Sequence, residues 1–269
     1  MALCSDPSIT FLNKFGYNVV KLPRKGIEPM DIIGKDSSTE WLGPLSSVWK
    51  SSLPVPAPSA PQPAVSVEGQ KTDQLALSVG LKVLANALAA FGASVPSLEV
   101  AYKQARNVQF QFTNVTSTSV APLSAGNYLA SGDLNTANAV IQHYFLDGSA
   151  HAFLIFDVLK SDTISVKATD SNGVEVKVDV PQIQAMLSVN AGVNVTTSND
   201  STLSFKGPAP VTFGFKAFAM GYANGKWSLA GAKASGDMAF GAAAGAAGGG
   251  SSEPDQPPVL LTTSGLVNM

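Results

Sequence analysis

Apolar and polar positions alternate strictly through several segments of the chain, the pattern of strands buried on one face. Val108, Phe110 and Phe112 alternate with Gln109, Gln111 and Thr113, and Ile164, Val166 and Ala168 alternate with Ser165, Lys167 and Thr169. Asp170-Ser-Asn-Gly173 then supplies turn chemistry, and Val174, Val176, Val178 and Val180 alternate with Glu175, Lys177 and Asp179. Residues 163–180 are therefore expected to form a β-hairpin. Further strands are expected at 152–159, 193–197, 203–206, 211–219 and, after an Asn224-Gly225 turn, 227–230. Helices are fewer: Asp133 is placed to cap one reaching about Phe145, and Pro181 to open a short one through about Val189. The stretch from Ser51 to Gln70, carrying Pro54, Pro56, Pro58, Pro61 and Pro63, reads as a loop or linker. This balance predicts an α+β fold, a single domain with a twisted, mainly antiparallel sheet and a few peripheral helices.

Residues 74–91 carry two patterns at once. Asp73 as a cap, an apolar run from Leu75 to Phe91 and Gly92 as a stop describe a helix. Yet Leu75, Leu77, Val79, Leu81 and Val83 also alternate with Ala76, Ser78, Gly80 and Lys82, as in an amphipathic strand. The same residues can form a helix in one state and a strand in another; a buried helix with accidental alternation is the alternative.

The C-terminal end divides into a tether and a tail. From Gly241 through Gly245 to Gly250-Ser-Ser252 there is no side chain large enough to build a core, so this stretch is expected to be a flexible, protease-accessible linker. Beyond it Val259, Leu260, Leu261, Leu266 and Val267 need a surface to cover. Burying five such side chains contributes roughly 1.5–3 kcal/mol each, whereas ordering about ten residues costs roughly 1–2 kcal/mol apiece. These terms nearly cancel, so a tail of this kind stays docked through the effective concentration its linker supplies, and a cut would release it. A frayed terminus with incidental hydrophobes is the bland reading of the same residues.

Composition adds chiefly exclusions. Of the residues, 45% are hydrophobic and only 13% charged, yet no run approaches the roughly 18 apolar residues of a membrane-spanning helix. The formal net charge of −2 gives no signature of a nucleic-acid binder. One cysteine excludes an intramolecular disulfide, and with two histidines no metal site is expected. No nucleophile elbow, metalloprotease or redox motif occurs, and the loop Gly221–Lys226 lacks the hydroxyl a phosphate loop needs, since Trp227 stands there. His143 and His151 read as structural, and no catalytic residue is assigned. Lys14, Lys21, Arg24 and Lys25, interleaved with Phe11, Phe15 and Tyr17, could face anionic lipid or form a solvated edge, and Trp41 and Trp49 could pack in the core or sit at a membrane surface. Cys4, followed by Ile9, Phe11 and Leu12, is a candidate S-acylation site or a plain thiol. Met1-Ala-Leu-Cys4 is not followed by the charged and apolar regions of a signal peptide, so the intact chain is expected to be cytoplasmic.

Together these segments resemble one family, the gasdermins, and within it the short bacterial members. Phe15-Gly-Tyr-Asn-Val-Val-Lys-Leu-Pro23 and Ile27-Glu-Pro-Met-Asp-Ile-Ile-Gly-Lys35 look like the two opening strands. Residues 152–159, the segment 163–180 and Ser201-Thr-Leu-Ser-Phe-Lys-Gly207 are similar to the second membrane-hairpin region. The resemblance implies a pore-forming core over 1–232, a cleavable linker over 233–252 and an autoinhibitory peptide over 253–269. It implies a palmitoyl-type acyl chain on Cys4 and no other cofactor. It also implies an activating protease, caspase-like or trypsin-like, cutting in the region of Lys233, Asp237, Gly245 and Gly250 during antiphage defence. Cleaved subunits would associate with membrane lipids, refold about 74–113 and 152–206 into hairpins, and close a homo-oligomeric barrel in the inner membrane. The lipid-facing set would include Leu75, Leu77, Val79, Leu81, Val83, Ile164, Val166, Val174, Val176 and Val178. A soluble β-rich module that recognises a partner protein is the competing reading.

Overall fold

A computed structural model describes residues 12, 15–24, 26–36, 39–72, 74–93, 98–148, 150–187, 192–223, 225–230 and 266–267. Strands β1 (Asn18–Arg24), β2 (Asp31–Lys35), β3 (Thr39–Pro44), β4 (Trp49–Ser51), β5 (Gln62–Pro63) and β6 (Leu75–Ala76) lead into helix α1 (Leu77–Ala90) and a single turn, α2 (Leu98–Ala101). Next come β7 (Asn107–Thr113), β8 (Thr116–Ser119), α3 (Pro122–Ala130), β9 (Gly132–Leu134) and α4 (Ala139–Ile141), which continues as a π-helix over Gln142–Leu146. The chain then forms β10 (His151–Thr169), α5 (Val180–Leu187), β11 (Asn194–Asn199), β12 (Thr202–Ala223), β13 (Lys226–Ala230) and β14 (Leu266–Val267).

Two long antiparallel strands, β10 and β12, make the spine of the sheet. Along one side of β10 lie β2, β8 and β7; along the far side of β12 lie β13, β1 and β11. β3, β5 and β6 extend the β10 side outward. The separate strands expected at 152–159 and 163–169 are one, and so are those at 203–206 and 211–219. Ser161 pairs with Val211 and Thr163 with Lys206, so residues 207–210 of β12 bulge out of the ladder. That bulge holds Pro208 and Pro210, whose missing N–H groups could not have joined it.

Two expectations are corrected. The helix expected from Asp133 to Phe145 begins only at Ala139, because Asp133 lies in β9, paired with Lys50 of β4. Its cap is Asn138, whose side chain accepts from the Val140 N–H at 2.9 Å. The expected hairpin 163–180 closes only near its turn: the Asp170 carboxylate accepts from the Asn172 and Val174 N–H groups, Thr169 bridges Glu175, and the last link is the Val176 N–H to the Ala168 carbonyl at 3.2 Å. Beyond that point both edges of β10 are taken, by β7 on one side and β12 on the other, so residues 176–179 are not a strand. Trp49 is core, 3% exposed, and donates to the Tyr128 carbonyl; Trp41 is more open but donates to Asp31.

The helical reading of residues 74–91 holds from Leu77 onward: α1 ends at Gly92, φ +94°, but Leu75 and Ala76 pair with β7 as β6, the N-cap is Ala76 without a side-chain cap, and Asp73 lies outside the described residues. The helix packs across β1, β7 and β12, burying Leu81, Leu84, Ala87 and Leu88. Contact is close enough that glycine is needed on both sides. A Cβ on Gly80 would lie 2.0 Å from Cγ2 of Val108, and one on Gly207 would lie 2.1 Å from Cδ1 of Phe91. Phe112 and Phe213 stack beneath at 4.1 Å. A second core around Met30, Leu45, Trp49, Tyr128 and Tyr144 joins α3 and α4 to the other end of β10.

Candidate pore-forming segments

The apolar alternation of β7, β10 and β12 falls on one face. Val108, Phe110 and Phe112 of β7, Ile164, Val166 and Ala168 of β10, and Leu203 and Phe205 of β12 are all buried in a single core with α1 and α5. On the opposite face stand Gln109 and Gln111, which donate to the Thr72 and Gly69 carbonyls at 2.7 Å, and Ser165 and Ser204, whose hydroxyls lie 2.6 Å apart. The sheet here is an amphipathic surface with its apolar side closed by a helix. Strand β10 spans 19 residues and β12 spans 22; at about 3.3 Å per residue each is roughly 60 Å or longer, about twice a bilayer's hydrocarbon thickness.

The helix that closes this face carries strand alternation of its own, and the structure sorts its members by exposure. Leu75 and Leu81 are buried at 2% and 4%, Leu77 and Val83 are half-buried, and Val79 is 41% exposed. Val178 is buried, Val176 half-buried and Val174 exposed. The alternating set is thus not a uniformly exposed face in this state, and a charge at Leu81 would enter the core. Residues 174–178 are held by a polar clip. Glu175 accepts from Ser201 Oγ at 2.6 Å and lies 2.6 Å from the Lys167 ammonium, while Lys177 and Asp200 pair at 2.9 Å. The Lys167 hydrogen bond, then that of Ser201, holds the Glu175 carboxyl below its ordinary range.

The tail reaches the sheet by backbone pairing, which its apolar residues alone did not foretell. Leu266 and Val267 run parallel to β1, opposite Val19 and Val20, and β14 also comes within packing distance of β3. β1 is itself fixed to the spine: Tyr17 donates to Asp157 at 2.7 Å and the Asn18 amide donates to the Phe215 carbonyl. Burial first, and that carboxylate second, push the Tyr17 phenol well above its usual range. Cys4, Lys233, Asp237, Gly245, Gly250, Val259, Leu260 and Leu261 lie outside the described residues.

Among the described residues no cluster of potential metal ligands occurs, and no helix is long and apolar enough to cross a membrane. His143 sits 3.2 Å from Asp36 at the surface and meets the Tyr144 ring edge-on. A sequence profile of the Bacterial Gasdermin Family matches residues 20–227. The chain belongs to that family. It is 40% identical over 231 residues to Gasdermin bGSDM of Vitiosangium sp. (strain GDMCC 1.1324), covering 85% of this chain and 86% of the relative. It is 30% identical over 230 residues to Gasdermin bGSDM of a Desulfuromonadales bacterium, covering 84% and 85%. The structure of a bacterial gasdermin from Bradyrhizobium tropiciagri superposes with a TM-score of 0.59 at 16% identity, over 84% of this chain and 90% of that one. The mainly antiparallel α+β fold is therefore the bacterial gasdermin fold, and membership supports a pore-forming role rather than a catalytic one for this gasdermin.

Proposed function

We propose that this gasdermin is an autoinhibited pore former, cytoplasmic while intact, that a protease activates by cutting between about Ala232 and Ser252. The observation that carries the reading is the apolar face of β7, β10 and β12, closed by a helix whose own sequence alternates as a strand. Loss of the tail removes β14 from the edge of β1. Helix α1 then leaves the sheet and extends with β7 as one hairpin, while the end of β10 and the start of β12 lengthen into the other. Transmembrane strands need roughly 9–11 residues, and both regions supply them. Closure of many subunits into one barrel satisfies the backbone hydrogen bonds that an open sheet would leave bare in lipid. No residue of the chain acts as a catalyst; the energy comes from apolar surface passing from α1 to lipid.

An acyl chain on Cys4 adds about 0.8 kcal/mol of membrane affinity per buried CH₂, and a single chain anchors only marginally, in keeping with a helper rather than the anchor. Removing Glu253 and Asp255 with the tail also takes the formal charge from −2 to 0, which favours an anionic inner leaflet. In the cell the resulting permeabilisation of the inner membrane is lytic and serves antiphage defence. The test is dye release from phosphatidylglycerol-containing vesicles by the full-length chain carrying an engineered protease site at residue 245, before and after cutting. Release only after cutting is expected; a soluble partner-binding module would release nothing in either state.

A further inference from the structure

The chain from Ser51 to Val67 contains no charged residue, yet most of it lies on the surface. Its first part is a strap stretched over α3 and tied at both ends. Ser52 donates through its N–H and its hydroxyl to the Ser131 carbonyl at 3.1 Å, and Ser59 exchanges hydrogen bonds with Ser119, N–H to carbonyl at 2.8 Å and hydroxyl from N–H at 3.1 Å. Between strap and helix runs an open groove of about 650 Å³ lined by Leu53, Pro54, Pro56, Val120, Ser124 and Tyr128. Exposed apolar side chains flank it: Leu53 is 47% exposed, Val55 46%, and Leu123, in the first turn of α3, 84%. Alternating prolines hold the strap extended in the unbound state, so little conformational entropy is lost when a partner closes on it.

What lies next to this groove identifies its occupant. Tyr128 lines it, and the Tyr128 carbonyl accepts from the Trp49 indole at 3.1 Å. The Trp49 ring meets Trp227 of β13 edge-on at 5.2 Å, and α3 packs against β13 directly. Ala230, three residues after Trp227, is the last residue of β13, and the linker expected over 233–252 follows within three residues. An enzyme seated on the strap therefore lies on the same side as β13, the last described strand before the linker in sequence. The geometry points to the groove between the strap and α3 as the docking exosite of the activating protease, which would present an uncharged apolar projection, aromatic or branched aliphatic, between the prolines and Leu123. This rests on the proteolytic activation proposed above. A small-residue linker without a defined cleavage motif gives a protease few side chains to grip, and an exosite outside the linker supplies the missing selectivity through effective concentration. With no charge on the strap, selectivity comes from shape and apolar contact rather than electrostatic steering.

The test uses full-length protein, the double variant Leu53→Asp with Leu123→Asp, and residues 231–269 grafted onto an unrelated carrier. Each is cut with the protease fractionated from a native-host extract by its ability to cleave the full-length chain. Each also carries, at residue 245, the recognition site of a sequence-specific viral protease as a docking-independent control. The exosite predicts that kcat/KM for the host protease falls about tenfold or more in the double variant and the graft, on the scale of losing an apolar hot spot. The viral protease should cut all three alike, and the pre-cut double variant should release dye as wild type does. Equal host-protease rates on all three would overturn the exosite. A pre-cut double variant that no longer permeabilises vesicles would overturn it too, assigning the patch to lipid or to a second copy. If no host fraction cuts even the wild-type linker, proteolytic activation itself fails and the exosite with it.

Discussion

Val79→Lys separates packing from insertion more cleanly than any other substitution in α1. Val79 is 41% exposed on the helix, so a lysine there keeps its stem along the surface and its ammonium in water. Lysine is also the better helix former, so the intact protein should melt within about 1 kcal/mol of wild type. In the extended state Val79 is the middle of the alternating set Leu75 to Val83, the position nearest the bilayer midplane. A lysine facing lipid at that depth costs about 2–4 kcal/mol in each subunit, or roughly 30- to 700-fold per subunit at about 1.4 kcal/mol per decade. Ser78→Lys is the matched control: Ser78 is exposed on the same helix, but in a strand it shares the opposite face with Lys82 and would point into an aqueous lumen. After cleavage, dye release should be lost in Val79→Lys and kept within a few-fold in Ser78→Lys. Equal release by the two, or equal loss at unchanged melting temperature, would refute the conversion of α1 into a strand in this register.

Four further outcomes follow from the same geometry. Leu81→Asp buries a carboxylate at a site 4% exposed, so it should destabilise the intact chain by several kcal/mol, seen as a lowered melting temperature before any cleavage. Val267→Pro removes the N–H of a β14 residue and should make uncut protein leak; if it stays silent while Leu260→Asp with Leu261→Asp leaks, the tail is held by side-chain burial instead of pairing with β1. Glu175 has its carboxyl pKa depressed on folding, so its stabilisation is present above the ordinary value of 4.5 and is lost as pH falls below it. Glu175→Gln should accordingly flatten the acid limb of the intact protein's melting-temperature profile. Intact-mass spectrometry of protein from its native host should show a long acyl chain on Cys4, and a bare thiol would remove that proposal.

The sheet was legible where one of its faces is buried, because period-two alternation is the imprint of a single covered side. Val108 to Phe112 and Ile164 to Ala168 are of this kind. Residues 174–180 alternate equally well and form no strand, since pairing depends on a free edge, and the alternation of a segment does not say whether its neighbour's edge is occupied. The join within β12 was hidden by Pro208 and Pro210, local breakers tolerated because the ladder bulges around them. Helix α3 is marked in the sequence by Pro122, a residue suited to the first turn of a helix. Asp133 and Asn138 both have capping side chains, and it is the pairing of β9 with β4, a contact far apart in sequence, that takes Asp133 into a strand and leaves the cap to Asn138. In α1 both readings were visible, but which of Leu75 to Val83 are covered depends on how the helix lies on β7. The tail's apolar character was visible too, while its seat on β1 uses backbone groups and leaves no mark on side-chain identity.

The central claim is that α1 must leave the sheet for a pore to form, and a disulfide can hold it there. A Cβ on residue 80 would lie 3.5 Å from the Val108 Cβ, at the close end of the separations a disulfide spans. Cleaved Gly80→Cys with Val108→Cys protein is compared on phosphatidylglycerol vesicles with the bond oxidised, verified by peptide mapping, and after reduction. The account predicts no dye release from the oxidised protein and release on reduction. Equal release in both states would contradict it.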